Sequence, residues 1–143
     1  MNTKMRIAFG CHLLATLLMA AFGLTYVVMG EFMPYHAVAV GVAWSEVALP
    51  FQVLILALMR AAGGAGLAVV VLELFLLFVP FRLGAMWARW AIPTGGLVIS
   101  FGALYAMVYV SLNTQATPPL IAPVAGILLF VAGLALSLGQ PKA

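Results

Sequence analysis

Long apolar stretches separated by short polar segments are the dominant pattern of this chain. A helix needs about 20 mostly apolar residues to cross the ~30 Å hydrocarbon core of a bilayer. Four stretches meet that requirement, at about residues 7–30, 54–79, 90–112 and 120–138. The pattern therefore predicts one all-α domain over residues 1–143, a polytopic bundle of four transmembrane helices.

Composition and charge narrow the class of protein. Hydrophobic residues make up 66% of the chain and charged residues 6%, against ~45–50% and ~25% in soluble domains. So few polar residues cannot cover a soluble core, and no basic cluster with interleaved aromatics indicates a nucleic-acid partner. The single cysteine, Cys11, excludes an intrachain disulfide and a cysteine-based zinc site.

Basic residues predict the orientation of the bundle. Five of the six Lys and Arg residues lie in the two terminal segments of the chain or in the link between the second and third spans: Lys4, Arg6, Arg82, Arg89 and Lys142. The other two connections hold none, so the positive-inside rule places both termini in the cytoplasm. We predict a multi-pass protein of the inner (cytoplasmic) membrane of a bacterium. The connection over residues 31–50 is long and partly apolar, and we expect a short interfacial segment that caps the outer end.

The second span carries unusual charge and small residues. Arg60 and Glu73 lie within its apolar run, and charge inside a membrane is costly enough to suggest a function. Arg60 could extend to the outer interface, form a buried ion pair or bind backbone carbonyl groups, or act on a ligand. Helical periodicity places Gly63 and Gly64 on the same face as Arg60. Gly66 and Glu73 share a second face, which is nearly opposite to the first. Small residues let helices approach closely, so both faces are predicted to contact partners, one of which could be a second copy of the chain.

Polar residues in other spans suggest partners for these charges. His12 and Glu73 lie at similar depths from the inner side, and we predict an intramembrane polar pair, either as mutual satisfaction of buried groups or as a proton relay. On the outer side, the candidates for a ligand pocket are Arg60, Tyr105, Tyr109, His36 and Glu46. Such a pocket would suit an anionic head group, a quinone carbonyl or a carboxylate. The alternative is an ordinary polar rim that faces water.

Metal and cofactor signals are weak in this sequence. His36 with scattered carboxylates lacks the spacing of a metal site. The two histidines lie on opposite sides of the predicted membrane, which argues against a haem with two histidine ligands. We therefore predict no metal site and no catalytic residue, and the sequence identifies no cofactor.

A short motif suggests a family. The stretch Leu58-Met-Arg60-Ala-Ala-Gly63-Gly64 lies early in the second span, a short basic link follows that span, and a proline-bearing link precedes the fourth. Over residues 51–138 this arrangement resembles the DoxX family and related small four-helix membrane proteins. The resemblance implies a link to quinone-dependent redox modules or no known activity, and it identifies no catalytic residue.

Three functions follow as hypotheses. The favoured one is non-enzymatic: an accessory or structural subunit that binds lipid or quinone and packs in the bilayer against other membrane subunits or a second copy. The second is a small proton-coupled transporter, acting as an oligomer through Glu73, His12 and Arg60. The third is a membrane redox or lipid-modifying enzyme built on His36, Glu46 and Arg60.

Overall fold

The computed structural model describes residues 1–138, and every regular element in that range is helical. Four helices are long and apolar enough to cross a membrane, which confirms the predicted all-α, four-span architecture. The elements are α1 (Thr3–Val28), α2 (Pro34–Val40), α3 (Leu49–Leu76), α4 (Met86–Asn113) and α5 (Ile121–Leu138), with a 3-10 turn at Trp44–Glu46 and a π turn at Leu77–Phe81.

Capping residues and prolines explain where the helices begin. The side chain of Asn2 accepts a hydrogen bond from the backbone N–H of Met5 at 3.0 Å and so caps α1, because the first N–H groups of a helix have no partner within it. Pro34 and Pro50 lie in the first turns of α2 and α3, where a missing N–H costs nothing. Helices α1, α3 and α4 begin four or five residues before the predicted spans, and a cap or a proline accounts for this in α1 and α3.

The long helix α3 ends in a π turn and a glycine. Pro80 lies inside the π turn, where its ring removes one N–H and crowds the carbonyl of the preceding turn. Gly84 then adopts φ 82°, a conformation that favours glycine. The N–H of Gly84 bonds to the carbonyl of Phe81, and that of Ala85 to the carbonyl of Pro80. This is the Schellman arrangement, which satisfies the last carbonyls of a helix.

Helix α1 is the centre of the bundle. It packs along both α3 and α5, and α5 also packs along α4, whereas α3 and α4 touch each other much less. At the crossing of α1 and α3, a Cβ added to Gly63 would lie 2.7 Å from the carbonyl oxygen of Gly23. Such close approach is the usual role of small residues between membrane helices. The weak contact between α3 and α4 leaves that side of the bundle partly open.

The two ends of the bundle differ. The connection over residues 31–50 contains the short helix α2, and the hydroxyl oxygens of Tyr35 in α2 and Tyr26 in α1 are 2.6 Å apart. Next to α2, Phe32 is buried and packs edge-to-face on Trp44. We call this the α2 end. The opposite end carries Lys4, Arg6, Arg82 and Arg89, and we call it the basic end.

Candidate functional site

A buried polar cluster joins α1 to α3. His12, Thr16 and Glu73 are each at most 2% exposed. The Thr16 hydroxyl lies 2.8 Å from Oε2 of Glu73 and 2.9 Å from the backbone oxygen of His12. A hydroxyl carries one proton, so it can donate to only one of these oxygens at a time. Thr16 therefore links the two helices at the level of the Glu73 carboxyl group.

The predicted direct pair of His12 and Glu73 is not formed in the described residues. Both imidazole nitrogens of His12 and Oε1 of Glu73 are buried without a hydrogen-bond partner. His12 and Glu73 lie at a similar depth in the bundle, but the residue that bonds to Glu73 is Thr16, one helical turn after His12. The two residues belong to one cluster, in which the Thr16 hydroxyl and not the His12 imidazole bonds to the Glu73 carboxyl group.

The His12 ring faces α5 instead. A Cβ added to Gly133 would lie 2.6 Å from Cε1 of that ring, so only glycine leaves room for it there. The rings of Phe81 and Phe130 lie 5.7 and 6.0 Å from it, and Phe130 in turn fills the space left by Gly96 on α4. Close packing on three sides encloses the histidine, and such packing resists added volume.

Oε1 of Glu73 faces α4. A Cβ added to Gly95 would lie 3.5 Å from this oxygen, so the carboxyl group lies against α4 at this depth. Within residues 1–138, no group of three or more His, Cys, Asp or Glu side chains gathers as a metal site.

Arg89 is a buried cation that sequence reasoning placed in a loop. It lies in the first turn of α4, is 2% exposed, and donates from a guanidinium nitrogen to the backbone oxygen of Ser137 at 2.9 Å. A second guanidinium nitrogen lies 3.4 Å from the backbone oxygen of Gly84. A cation near the last carbonyls of α5 is stabilised by the helix dipole. Arg89 therefore holds together α4, α5 and the turn at Gly84 that follows the π turn.

Towards the α2 end, α3 and α4 diverge and leave a cleft of about 400 Å³. Helix α1 forms its back wall and α2 lies at its end; the lining residues are Phe22, Tyr26, Tyr35, His36, Ala62, Ala65, Val98, Ile99, Gly102, Ala103, Ala106, Met107 and Val110. On the two side walls Ala62, Ala65, Gly102 and Ala106 are exposed, so the cleft opens sideways between the helices. Most of the lining is apolar, and Glu73 is not part of it.

The polar groups of the cleft gather at one end. Tyr26, Tyr35 and His36 supply two hydroxyls and an imidazole, and Nδ1 of His36 already accepts a 3.3 Å bond from the N–H of Met33. Burial lowers the pKa of His36 and raises the pKa of Tyr35, so both groups are held neutral near pH 7. The cleft thus combines apolar walls with a neutral hydrogen-bonding end.

The other predicted pocket residues lie elsewhere. Arg60 is exposed and has no hydrogen bond or ion pair within residues 1–138, the arrangement expected of a side chain that extends to the interface. Tyr105 and Tyr109 stack on each other and are 73% and 60% exposed. They precede the cleft residues Ala106 and Val110 by one position, which turns them about 100° away. The carboxylate of Glu46 accepts a bond from the N–H of Ala43 in its own 3-10 turn.

The three glycines predicted to mediate helix packing have different surroundings. Gly63 touches α1, whereas a Cβ added at Gly64 or Gly66 would meet nothing within 4 Å. Gly66 is buried and Gly64 is exposed. Of these three glycines, only Gly63 is therefore needed for close approach inside the described chain.

A scan against protein-family models, a search of curated proteins and a search of solved structures each returned no match.

Proposed function

We propose that this small integral membrane protein is a non-enzymatic accessory subunit that holds a lipid-soluble molecule in the cleft between α3 and α4. The ligand class is an amphipathic molecule with an apolar body and a hydrogen-bond-accepting head, which includes both quinones and glycerolipids. The cleft itself is the observation that carries the proposal.

The size and chemistry of the cleft support this ligand class. Its volume of about 400 Å³ falls within the ~300–1,000 Å³ range of small-molecule sites. Side walls of alanine and glycine leave room for an apolar body that enters from the bilayer. The hydroxyls of Tyr26 and Tyr35 lie at the polar end, where one of them can donate to a carbonyl or ester oxygen while the other maintains their mutual bond.

The placement of the polar residues favours this function over the two alternatives. A proton-coupled carrier would need access from water to Glu73, which is 2% exposed and does not line the cleft. An enzyme built on His36, Glu46 and Arg60 would need these side chains to converge, and only His36 reaches the cleft. The subunit role itself is supported by exposed Gly64 on α3, where a partner helix could approach closely.

The test is purification from native membranes in a mild detergent, followed by mass spectrometry of the bound lipids, quinones and proteins. We expect about one lipid-soluble molecule per chain together with at least one other membrane protein. Recovery of the chain alone and free of ligand would contradict the proposal.

Two glycine variants make the test specific to the cleft. Gly102→Phe places a ring in the cleft, and Gly64→Phe places the same ring on the outer surface of α3; both glycines have open space around an added Cβ. Ligand should be lost from G102F and retained by G64F. Equal ligand content in the two variants would mean that the molecule binds outside the cleft.

A further inference from the structure

A second cavity lies at the basic end, on the opposite side of the bundle from α2. It is a groove of about 580 Å³ between the start of α1 and the π turn, and we call it the basic groove. Its lining residues are Met1, Arg6, Phe9, Phe78 and Arg82. The cleft and the basic groove share no residue, so they are separate sites.

The two arginines of the basic groove have no internal partner. Arg6 and Arg82 are both exposed, and neither guanidinium forms a hydrogen bond or an ion pair within residues 1–138. Arg89, at the same end, is by contrast buried and bonded to backbone oxygens. The only acidic residues of the chain are Glu31, Glu46 and Glu73, and none lies at the basic end. Among residues 1–138, no acidic side chain therefore compensates the charge in the groove.

The floor of the basic groove is apolar. Phe9 and Phe78 pack edge-to-face with their ring centroids 5.3 Å apart, and Phe78 remains 47% exposed. The groove thus has cations at its rim and aromatic rings on the side of the hydrocarbon. A free anion would match only the rim, whereas a phospholipid matches both parts, with a phosphate at the arginines and glycerol and acyl chains over the rings.

We infer that the basic groove binds the head group of an anionic phospholipid, with Arg6 and Arg82 donating to its phosphate oxygens. Guanidinium groups suit this role because their planar set of N–H donors matches phosphate oxygens in pairs. Basic pockets between membrane helices are established sites for anionic lipids. The lipid would bridge α1 to the segment after α3.

The experiment measures lipid binding to the purified full-length protein in neutral detergent by native mass spectrometry. The probes are phosphatidylglycerol, phosphatidylcholine and inorganic phosphate. One exposed arginine near a membrane surface contributes enough attraction to change an anionic lipid's affinity about fivefold. We expect R6Q and R82Q each to weaken phosphatidylglycerol binding about fivefold and R6Q/R82Q about 25-fold.

Arg60 provides the matched control. It is also exposed and unpaired, but it lies roughly 33 Å from Arg82 along the helix axis. R60Q should bind phosphatidylglycerol as the unmodified chain does, and phosphatidylcholine should bind weakly to all variants.

Two results would overturn the inference. One is equal loss of phosphatidylglycerol binding in R60Q and in the R6Q and R82Q single variants, which would indicate a nonspecific effect of net charge. The other is complete competition by millimolar inorganic phosphate, which would indicate a soluble anion as the ligand. The losses caused by R6Q and R82Q should be the same in a G102F background, because Gly102 lines the cleft and not the basic groove, so the failure of this inference and the failure of the cleft proposal are distinguishable.

Discussion

Gly63 and Gly64 are neighbours in α3, but replacing each of them by alanine should affect the stability of the protein differently. In Gly63→Ala the added Cβ would lie 2.7 Å from the backbone oxygen of Gly23 and 2.9 Å from Cβ of Tyr26. Neither atom can move by a side-chain rotation, so α1 and α3 must separate by about 0.7 Å to reach the 3.4 Å of ordinary contact. In Gly64→Ala the added Cβ meets nothing within 4 Å.

The magnitude follows from two terms. Replacing an interior helix glycine by alanine favours the helix by ~1 kcal/mol, and this gain is common to both variants. Overpacking costs about 1–3 kcal/mol and applies only to G63A. The free energy of unfolding of G63A should therefore be about 1–3 kcal/mol below that of G64A.

Equilibrium unfolding in mixed micelles of mild detergent and sodium dodecyl sulfate, followed by tryptophan fluorescence, measures this difference directly. The comparison between the variants cancels any effect of detergent on helix propensity. A G63A protein as stable as G64A would refute the close crossing of α1 and α3 on which the fold depends.

Three further predictions use the same assay. Thr16→Val should lower the free energy of unfolding by about 1–3 kcal/mol because it leaves Oε2 of Glu73 buried without a partner. Glu73→Gln should change the free energy of unfolding little, because the amide oxygen can still accept a bond from Thr16. Equal effects of the two variants would exclude the hydrogen bond between Thr16 and Glu73. Arg89→Gln should lower the free energy of unfolding by about 1.5–3 kcal/mol through loss of the bond to Ser137. The exposed Arg82→Gln serves as its control, and similar values for the two variants would show that Arg89 does not hold α4 to α5. Burial lowers the pKa of His36 from its usual 6.5, so the unfolded chain takes up a proton first, and stability should fall as the pH drops below about 6.5. The fall should be smaller in H36A than in the unmodified chain, because H36A removes one of the two histidines. Parallel pH profiles would show that His36 does not contribute.

Hydropathy predicted the four spans because each must supply a continuous apolar surface to lipid, a requirement visible in any single stretch of sequence. The ends of the helices were less well predicted, since the helices continue beyond the apolar run and are ended by local features. The π turn around Pro80 and the left-handed Gly84 are such features.

The candidate site was harder to predict because it depends on which face of each helix meets which neighbour. Tyr105 and Tyr109 were predicted to line the cleft, but the lining residues are their next neighbours in sequence, Ala106 and Val110. Arg89 was counted as a loop cation, although its spacing from Ile92, Pro93 and Gly96 places it on the buried face of α4. That spacing was the available signal. The role of Thr16 was not predictable from depth alone, because depth matched His12 to Glu73 without showing which side chain of α1 bonds to the carboxyl group.

The central claim is that the space between α3 and α4 holds one specific lipid-soluble molecule. Photo-crosslinking in native membranes tests this claim most directly. A small diazirine-bearing amino acid is placed at Ala106, which lines the cleft, or at Tyr105, which is 73% exposed beside it. After illumination, mass spectrometry should find a single adduct mass at position 106 and a mixture that reflects the bulk lipids at position 105. The same mixture at both positions would contradict a specific site in the cleft.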